Sequence, residues 1–208
     1  MGHLIDHIEG SAAAVLIALS EQHDLLVQDA QAVARLMDST PAESWGTATK
    51  RVLGRSSGQP LAELVNQLAT VERLIDVLHW LVGLHGGEVH VRANPTTSST
   101  GSDLTVALDP AWHFEVSDVA RMGDGNNKLA KDLASLRTVR ELWPGARTFL
   151  AVSPEWSDWL ARRPALVWVK HGFAPISPAD AHVEVGPAHT GVFEVRPQSL
   201  TPPNGLVP

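Results

Sequence analysis

The chain has 208 residues, enough to bury the core of one domain, and its formal charge of −7 at pH 7 argues against a general nucleic-acid coat protein. It contains no cysteine, which excludes disulfides, thiolate metal sites and cysteine nucleophiles and suits a cytoplasmic protein. The first basic side chain is Arg35, and the apolar run at 12–19 is too short to cross a bilayer. We therefore expect a cytoplasmic protein with no secretory signal and no membrane partner.

The charge is unevenly distributed along the chain. Residues 1–118 carry 6 Lys and Arg against 15 Asp and Glu, whereas residues 119–170 carry 9 basic against 5 acidic side chains. A locally basic segment directly after acidic strands could hold a phosphate backbone beside a metal site. An ordinary solvated helix face is the alternative of equal weight.

The first 60 residues are predicted to form a helical N-terminal extension. Residues 4–37 are rich in Ala, Leu and Val and contain no proline, which favours one or two helices with a break near Gly10 and Ser11. Several Gly, Pro and Ser residues at 38–60 indicate a loop that can include one short helix. This loop is the predicted boundary to a core at 61–196, and residues 197–208 are predicted to be a flexible tail.

The core is predicted to begin with a long helix and to continue as a sheet. Apolar residues recur at helical spacing over 61–82, and Gly86-Gly87 is expected to end the helix. A hairpin is expected around Asp109-Pro110. The remaining predicted elements are strands at 88–92, 104–108, 112–119, 148–152 and 165–170, helices at 127–141 and after Ser153, and strands near 182–185 and 191–195. This order predicts an α/β (α+β) fold with a central mixed sheet flanked by helices.

Two acidic residues lie in or beside predicted strands where apolar residues would be expected. Asp103 precedes one strand and Glu115 lies 12 positions later in the next, a separation that allows both to meet across the hairpin. The sequence does not fix the register, and some registers would need a bulge to bring both to one face. Neighbouring carboxylates repel, so a fold that holds them together needs a cation, a shared proton or a nearby base. Mg2+ suits such a pair because it takes oxygen ligands and needs only one or two protein carboxylates.

This arrangement resembles the PD-(D/E)XK nuclease superfamily, which includes many restriction and repair endonucleases. The superfamily signature is an Asp that opens one strand and Glu-x-Lys in the next strand, followed by a helix. Asp103 matches the first part and Glu115-Val116-Ser117 matches the second, within a segment of roughly 61–170 that has the expected order of helix, three strands, helix and strand. The resemblance implies a restriction-endonuclease-like core that binds Mg2+ or Mn2+ and hydrolyses phosphodiester bonds in nucleic acid, with DNA as the expected substrate.

The resemblance also implies roles for the residues around the pair. Asp103 and Glu115 would be catalytic residues and metal ligands, and Glu72 in the preceding helix would be a further metal ligand. The chain departs from the signature at Ser117, where the superfamily has a lysine that offsets developing negative charge. Lys128, at the start of the next helix, is the expected catalytic substitute.

Two more basic residues of that helix, Lys131 and Arg137, would bind the nucleic-acid backbone. The biological settings that the resemblance implies are restriction, repair and phage defence. A homodimer or a partner protein from a defence system would fit the same class.

Three alternatives stay open at the level of sequence. The first is a catalytically inactive relative that binds nucleic acid or protein, because Ser117 cannot supply the charge of a lysine. The second is a helical partner protein that uses the acidic half of the chain as its contact surface. In the third, Asp103 merely begins a strand and Glu115 faces solvent at a sheet edge. The ten histidines fit no zinc signature, and neither a P-loop nor a dinucleotide fingerprint is present.

Overall fold

The computed structural model describes residues 7–39, 41, 61–95, 102–117, 128–162, 172–174, 183–196 and 198, with side chains at all of these except 61–63 and 161–162. Within this part of the chain there are seven strands and four helices. The strands are β1 (Ile8–Ser11), β2 (His90–Ala93), β3 (Leu104–Val106), β4 (Trp112–Val116), β5 (Arg147–Val152), β6 (Val183–Val185) and β7 (Thr190–Glu194). The helices are α1 (Ala12–Ser39), α2 (Leu61–His85), α3 (Lys128–Leu142) and α4 (Pro154–Arg162).

The seven strands form one mixed sheet in the order β1-β2-β3-β4-β5-β7-β6. Neighbouring strands are antiparallel except β4 and β5, which are parallel. A parallel pair needs a long crossover connection, and α3 lies within the connection from β4 to β5. The predicted α/β (α+β) class with a central mixed sheet flanked by helices is confirmed.

Helices cover both faces of the sheet. Helices α1 and α2 pack on one face, where Leu19, Leu78 and Phe114 belong to one apolar cluster. Helices α3 and α4 pack on the other face, where Leu136 and Leu160 belong to a second cluster. No helix within the described ranges is both long and apolar enough to span a membrane.

Strand β4 is buried along its whole length because both of its faces are covered. Side chains alternate along a strand, so Trp112, Phe114 and Val116 join the cluster beneath α1 and α2. His113 and Glu115 therefore point toward α3. This alternation places a polar row inside the protein, at the centre of the sheet.

The N-terminal segment differs from the prediction of helix from residue 4 onward. Residues 8–11 form strand β1, which pairs antiparallel with β2 at the edge of the sheet. Helix α1 begins at Ala12, and Ser11 Oγ caps it by accepting a hydrogen bond from the N–H of Ala14 (3.3 Å). Pairing with a strand about 80 residues away outweighs the local helical tendency. A local sequence pattern does not reveal such long-range pairing. The sheet thus includes residues of the predicted N-terminal extension.

Other element boundaries lie close to the prediction. Helix α2 ends as expected at Gly86, which has a φ of 81° and whose N–H donates to the carbonyl of Val82 (2.9 Å). Helix α3 spans Lys128–Leu142 and strand β2 begins at His90. The predicted strand at 165–170 and the tail beyond residue 198 lie outside the described residues.

Candidate cation site

The register of β3 and β4 brings Asp103 and Glu115 to the same place. Leu104 pairs with Phe114, so one further step of the same register sets Asp103 opposite Glu115. Both lie on the sheet face that α3 covers. Glu115 is 5% exposed and lies in a central strand, so the alternative of a solvent-facing edge residue is wrong.

Each of the two carboxyls accepts one hydrogen bond from a fixed donor. Asp103 Oδ2 accepts from the backbone N–H of Val116 (2.7 Å). Glu115 Oε1 accepts from the hydroxyl of Ser135 on α3 (2.6 Å). A side-chain hydrogen bond also joins the two carboxyls.

Helix α3 directs three polar side chains at this segment of β4. Lys128, Asp132 and Ser135 are spaced four and three residues apart and therefore share one helix face. The ammonium of Lys128 donates to the carbonyl of Val116 (2.6 Å) and to Asp132 Oδ2 (3.1 Å). Lys128 and Ser135 thus attach the helix to two consecutive residues of the strand, Glu115 and Val116.

Burial raises the pKa of both strand carboxyls. Burial raises the pKa of Glu115 to about 9, and the charge of Asp103 adds to the rise. Burial raises the pKa of Asp103 to about 6, while the ammonium of Lys128 opposes the rise. At neutral pH the pair therefore holds one proton. A proton held between two carboxyls occupies a position for which a metal cation competes.

Asp132 and Ser135 belong to the site although neither is among the predicted site residues. Asp132 is 8% exposed; burial raises its pKa, and the ammonium of Lys128 lowers it. The charge of Asp132 also raises the pKa of Glu115, so the three carboxyls act on one another. Their spacing from Lys128 could have placed them on its helix face, but the rotation of that face toward β4 depends on tertiary packing.

His113 extends the polar row at the other end of β4. Its Nδ1 lies 3.3 Å from the hydroxyl of Ser102, and its ring stacks on Trp143 with centroids 5.7 Å apart. Burial lowers the pKa of His113, so the imidazole is neutral at physiological pH. Ser117, which directly follows the last residue of β4, is fully buried, and its N–H donates to the carbonyl of Ala151 (2.9 Å).

The structure places three predicted residues away from the pair. Glu72 lies on α2, where its carboxylate is 3.4 Å from His23 Nε2 and 3.3 Å from a guanidinium nitrogen of Arg73. Helix α2 packs on the opposite face of the sheet, so Glu72 is not brought to Asp103 and Glu115. Lys131 and Arg137 are exposed on α3, and the guanidinium of Arg137 lies 5.9 Å from the ring centroid of Phe173.

The donors present fit a hard divalent cation with few protein ligands. Within the described residues, no group of three or more His, Asp or Glu side chains is arranged to hold a metal ion. Mg2+ requires less than such a group, because water and substrate oxygens complete its coordination around one or two carboxylates. Asp103 and Glu115 supply only oxygen donors, which favours Mg2+ or Mn2+ over softer metals.

Comparison with models of protein families, with curated proteins and with solved structures finds no match to this chain.

Proposed function

We propose that this protein is a divalent-metal-dependent nuclease that hydrolyses phosphodiester bonds in nucleic acid. The observation that carries the proposal is the register of β3 and β4, which sets the carboxyls of Asp103 and Glu115 opposite each other beneath the ammonium of Lys128. One buried and one partly buried acid, held together with a cation from the next helix, destabilise a fold unless they serve a function.

The order of elements supports the same proposal. Helix α2 is followed by β2, β3 and β4 as antiparallel neighbours, then by α3 and by β5 parallel to β4. Asp103 precedes the second of these strands and Glu115 lies in the third. This is the order on which the resemblance to the PD-(D/E)XK superfamily depends.

In the proposed mechanism, the carboxylates of Asp103 and Glu115 would hold Mg2+ or Mn2+. The metal would supply an activated water and polarise the scissile phosphate. Lys128 would stabilise the charge that develops on phosphorus, in place of the superfamily lysine that Ser117 does not provide. Its ammonium contacts the carbonyl of Val116, directly between Glu115 and Ser117, so the positive charge reaches the motif from the helix instead of from the strand.

The wider elements of the proposal follow from the resemblance and from the surface of α3. Lys131 is exposed one residue before Asp132 and is proposed to contact the nucleic-acid backbone, and Arg137 is proposed to do so two turns further along. DNA is the proposed substrate, in the cytoplasm, for restriction, repair or phage defence, either as a homodimer or with a defence partner protein. Glu72 is not a metal ligand in this proposal because its contacts lie on the other face of the sheet.

The test is a cleavage assay on single- and double-stranded DNA and on RNA, with Mg2+, Mn2+ or a chelator. Asp103→Asn and Glu115→Gln preserve shape and remove one carboxyl each, and we expect each to lower the cleavage rate by more than about 100-fold. Asp109→Asn and Glu141→Gln are matched controls at exposed acids and should cleave like the parent. Cleavage that survives both site variants, or that persists in chelator, would refute the assignment.

A non-catalytic nucleic-acid-binding module is the second candidate, and one observation favours it. The proton on Glu115 and the ammonium of Lys128 already offset the charge of the acids without a metal. A binding module predicts no cleavage of any substrate, together with nucleic-acid affinity that is unchanged in Asp103→Asn and Glu115→Gln. The same assay, combined with a binding titration, therefore separates the two.

A further inference from the structure

Ser135 on α3 behaves differently from four other hydroxyl residues of the described helices. Ser20, Ser39, Thr70 and Thr138 each bond to a backbone carbonyl one turn earlier in their own helix, which is the usual behaviour of helical Ser and Thr. Ser135 instead reaches across to the sheet and donates to Glu115 Oε1 at 2.6 Å. A short hydrogen bond to a buried carboxyl of the site requires its own explanation.

The position of the Ser135 hydroxyl is fixed by rigid contacts on both sides. Leu133 and Leu136 pack α3 into the second apolar cluster, and Lys128 attaches the first turn of the helix to the carbonyl of Val116. Strand β4 is held between β3 and β5. The donor and the acceptor therefore belong to two elements that cannot shift independently, which is the condition for holding a ligand side chain in one orientation.

The hydrogen bond restrains the carboxyl of Glu115 from the side of the helix, at Oε1. Asp103 is restrained from the side of the strand, because the N–H of Val116 donates to its Oδ2. One side-chain donor and one backbone donor thus hold the two carboxyls, which a side-chain hydrogen bond also joins.

We propose that Ser135 is a positioning residue that holds Glu115 in the orientation needed to bind a divalent cation between Glu115 and Asp103. This inference rests on the proposed metal-dependent function. Groups that orient metal ligands without touching the metal commonly contribute about 10- to 100-fold to metal affinity. Ser135 therefore affects metal binding itself, before any chemistry on a substrate.

The test measures Mn2+ affinity of the purified full chain by titration calorimetry, without nucleic acid. Ser135→Ala removes the donor and is expected to weaken Mn2+ binding by about tenfold or more. Ser135→Thr keeps the hydroxyl and should stay within about threefold of the parent. Thr138→Ala is the matched control, because it removes a hydroxyl from the same helix that bonds only to the carbonyl of Ala134, and it should leave the affinity unchanged.

The outcomes distinguish a failure of this inference from a failure of the proposed function. If the parent binds Mn2+ and Glu115→Gln abolishes binding, but Ser135→Ala binds like Thr138→Ala, the role of Ser135 is overturned and the metal site stands. If the parent shows no Mn2+ binding that depends on Asp103 and Glu115, both are overturned together. Thermal unfolding checks that each variant is folded. If the alanine variant is unfolded, Ser135→Cys replaces it in the Mn2+ titration, because cysteine is close to serine in size and only a weak donor.

Discussion

Buried carboxyls occur on both faces of the sheet, and their surroundings differ. On the α2 side, Asp76 is 1% exposed and accepts from the hydroxyl of Thr190 (2.6 Å), from the N–H of Thr190 (3.3 Å) and from the N–H of Ala188 (3.4 Å). Arg73 lies beside it, with a guanidinium nitrogen 4.0 Å from Asp76 Oδ2. On the α3 side, Asp103 and Glu115 each accept from one fixed donor and otherwise face each other.

The comparison shows how a structural acid differs from a candidate site acid. The β6–β7 turn is shaped around Asp76: Gly186 has a φ of 70°, and a Cβ there would clash with Asp76 Oδ1. Both oxygens of that carboxylate accept hydrogen bonds from the turn and from the strand that follows it. The Asp103–Glu115 pair has fewer donors for its two carboxyls and holds a proton, with which a cation would compete.

The largest expected effect on stability lies on the α2 side. Asp76→Ala removes the carboxylate that lies 4.0 Å from the buried guanidinium of Arg73, which keeps its contact with Glu72, and it removes the acceptor for the Thr190 hydroxyl. We expect a loss of about 3–5 kcal/mol in the free energy of unfolding. Urea unfolding measures it, with Asp109→Ala at an exposed acid as the control. A loss no larger than that of the control would mean that Asp76 does not hold the turn and that the contrast between the two faces is mistaken.

A second prediction concerns the cation on the α3 side. Lys128→Met keeps an unbranched apolar side chain and removes the ammonium that contacts Val116 and Asp132. If Lys128 offsets charge in the transition state, kcat should fall by about 10²- to 10³-fold with little change in KM.

Lys131→Met on the same helix is the matched control for that prediction. Lys131 is exposed, so its loss should weaken nucleic-acid binding and reduce its salt dependence by about one phosphate contact, with kcat retained. Equal losses of kcat in both variants would place Lys128 among the backbone contacts and not at the chemistry.

The central elements of the site could be predicted from sequence because their determinants are local. The hairpin about Asp109-Pro110 and the alternation within β3 and β4 are short-range features that allow Asp103 to meet Glu115, although the sequence left the register itself open. The position of Lys128 at the start of a helix is equally local. These features need no knowledge of what packs on the sheet.

The rest of the site depends on how distant elements pack. Ser135 and Asp132 matter only because α3 turns that face toward β4, and the hydrophobic pattern of α3 does not set such a rotation. Asp76 contacts Thr190, 114 positions away, through a turn whose shape its own neighbours do not encode. The sequence did not predict strand β1 for the same reason, since its partner β2 is far along the chain.

The smallest expected effect, and the sharpest contrast with Asp76→Ala, is a gain of stability in Glu115→Gln. The pKa of Glu115 is raised from 4.5 to about 9, so the folded state binds a proton that the unfolded state releases above about pH 4.5. The stability of the metal-free parent therefore falls as pH rises between these values, whereas glutamine has no proton to lose. Urea unfolding in chelator should show that the free energy of unfolding of the variant rises relative to that of the parent from pH 5 to pH 8, to an advantage on the order of 2 kcal/mol. If the advantage does not widen with pH, ionisation of Glu115 does not destabilise the folded state. The argument that Glu115 belongs to a cation site would then fail.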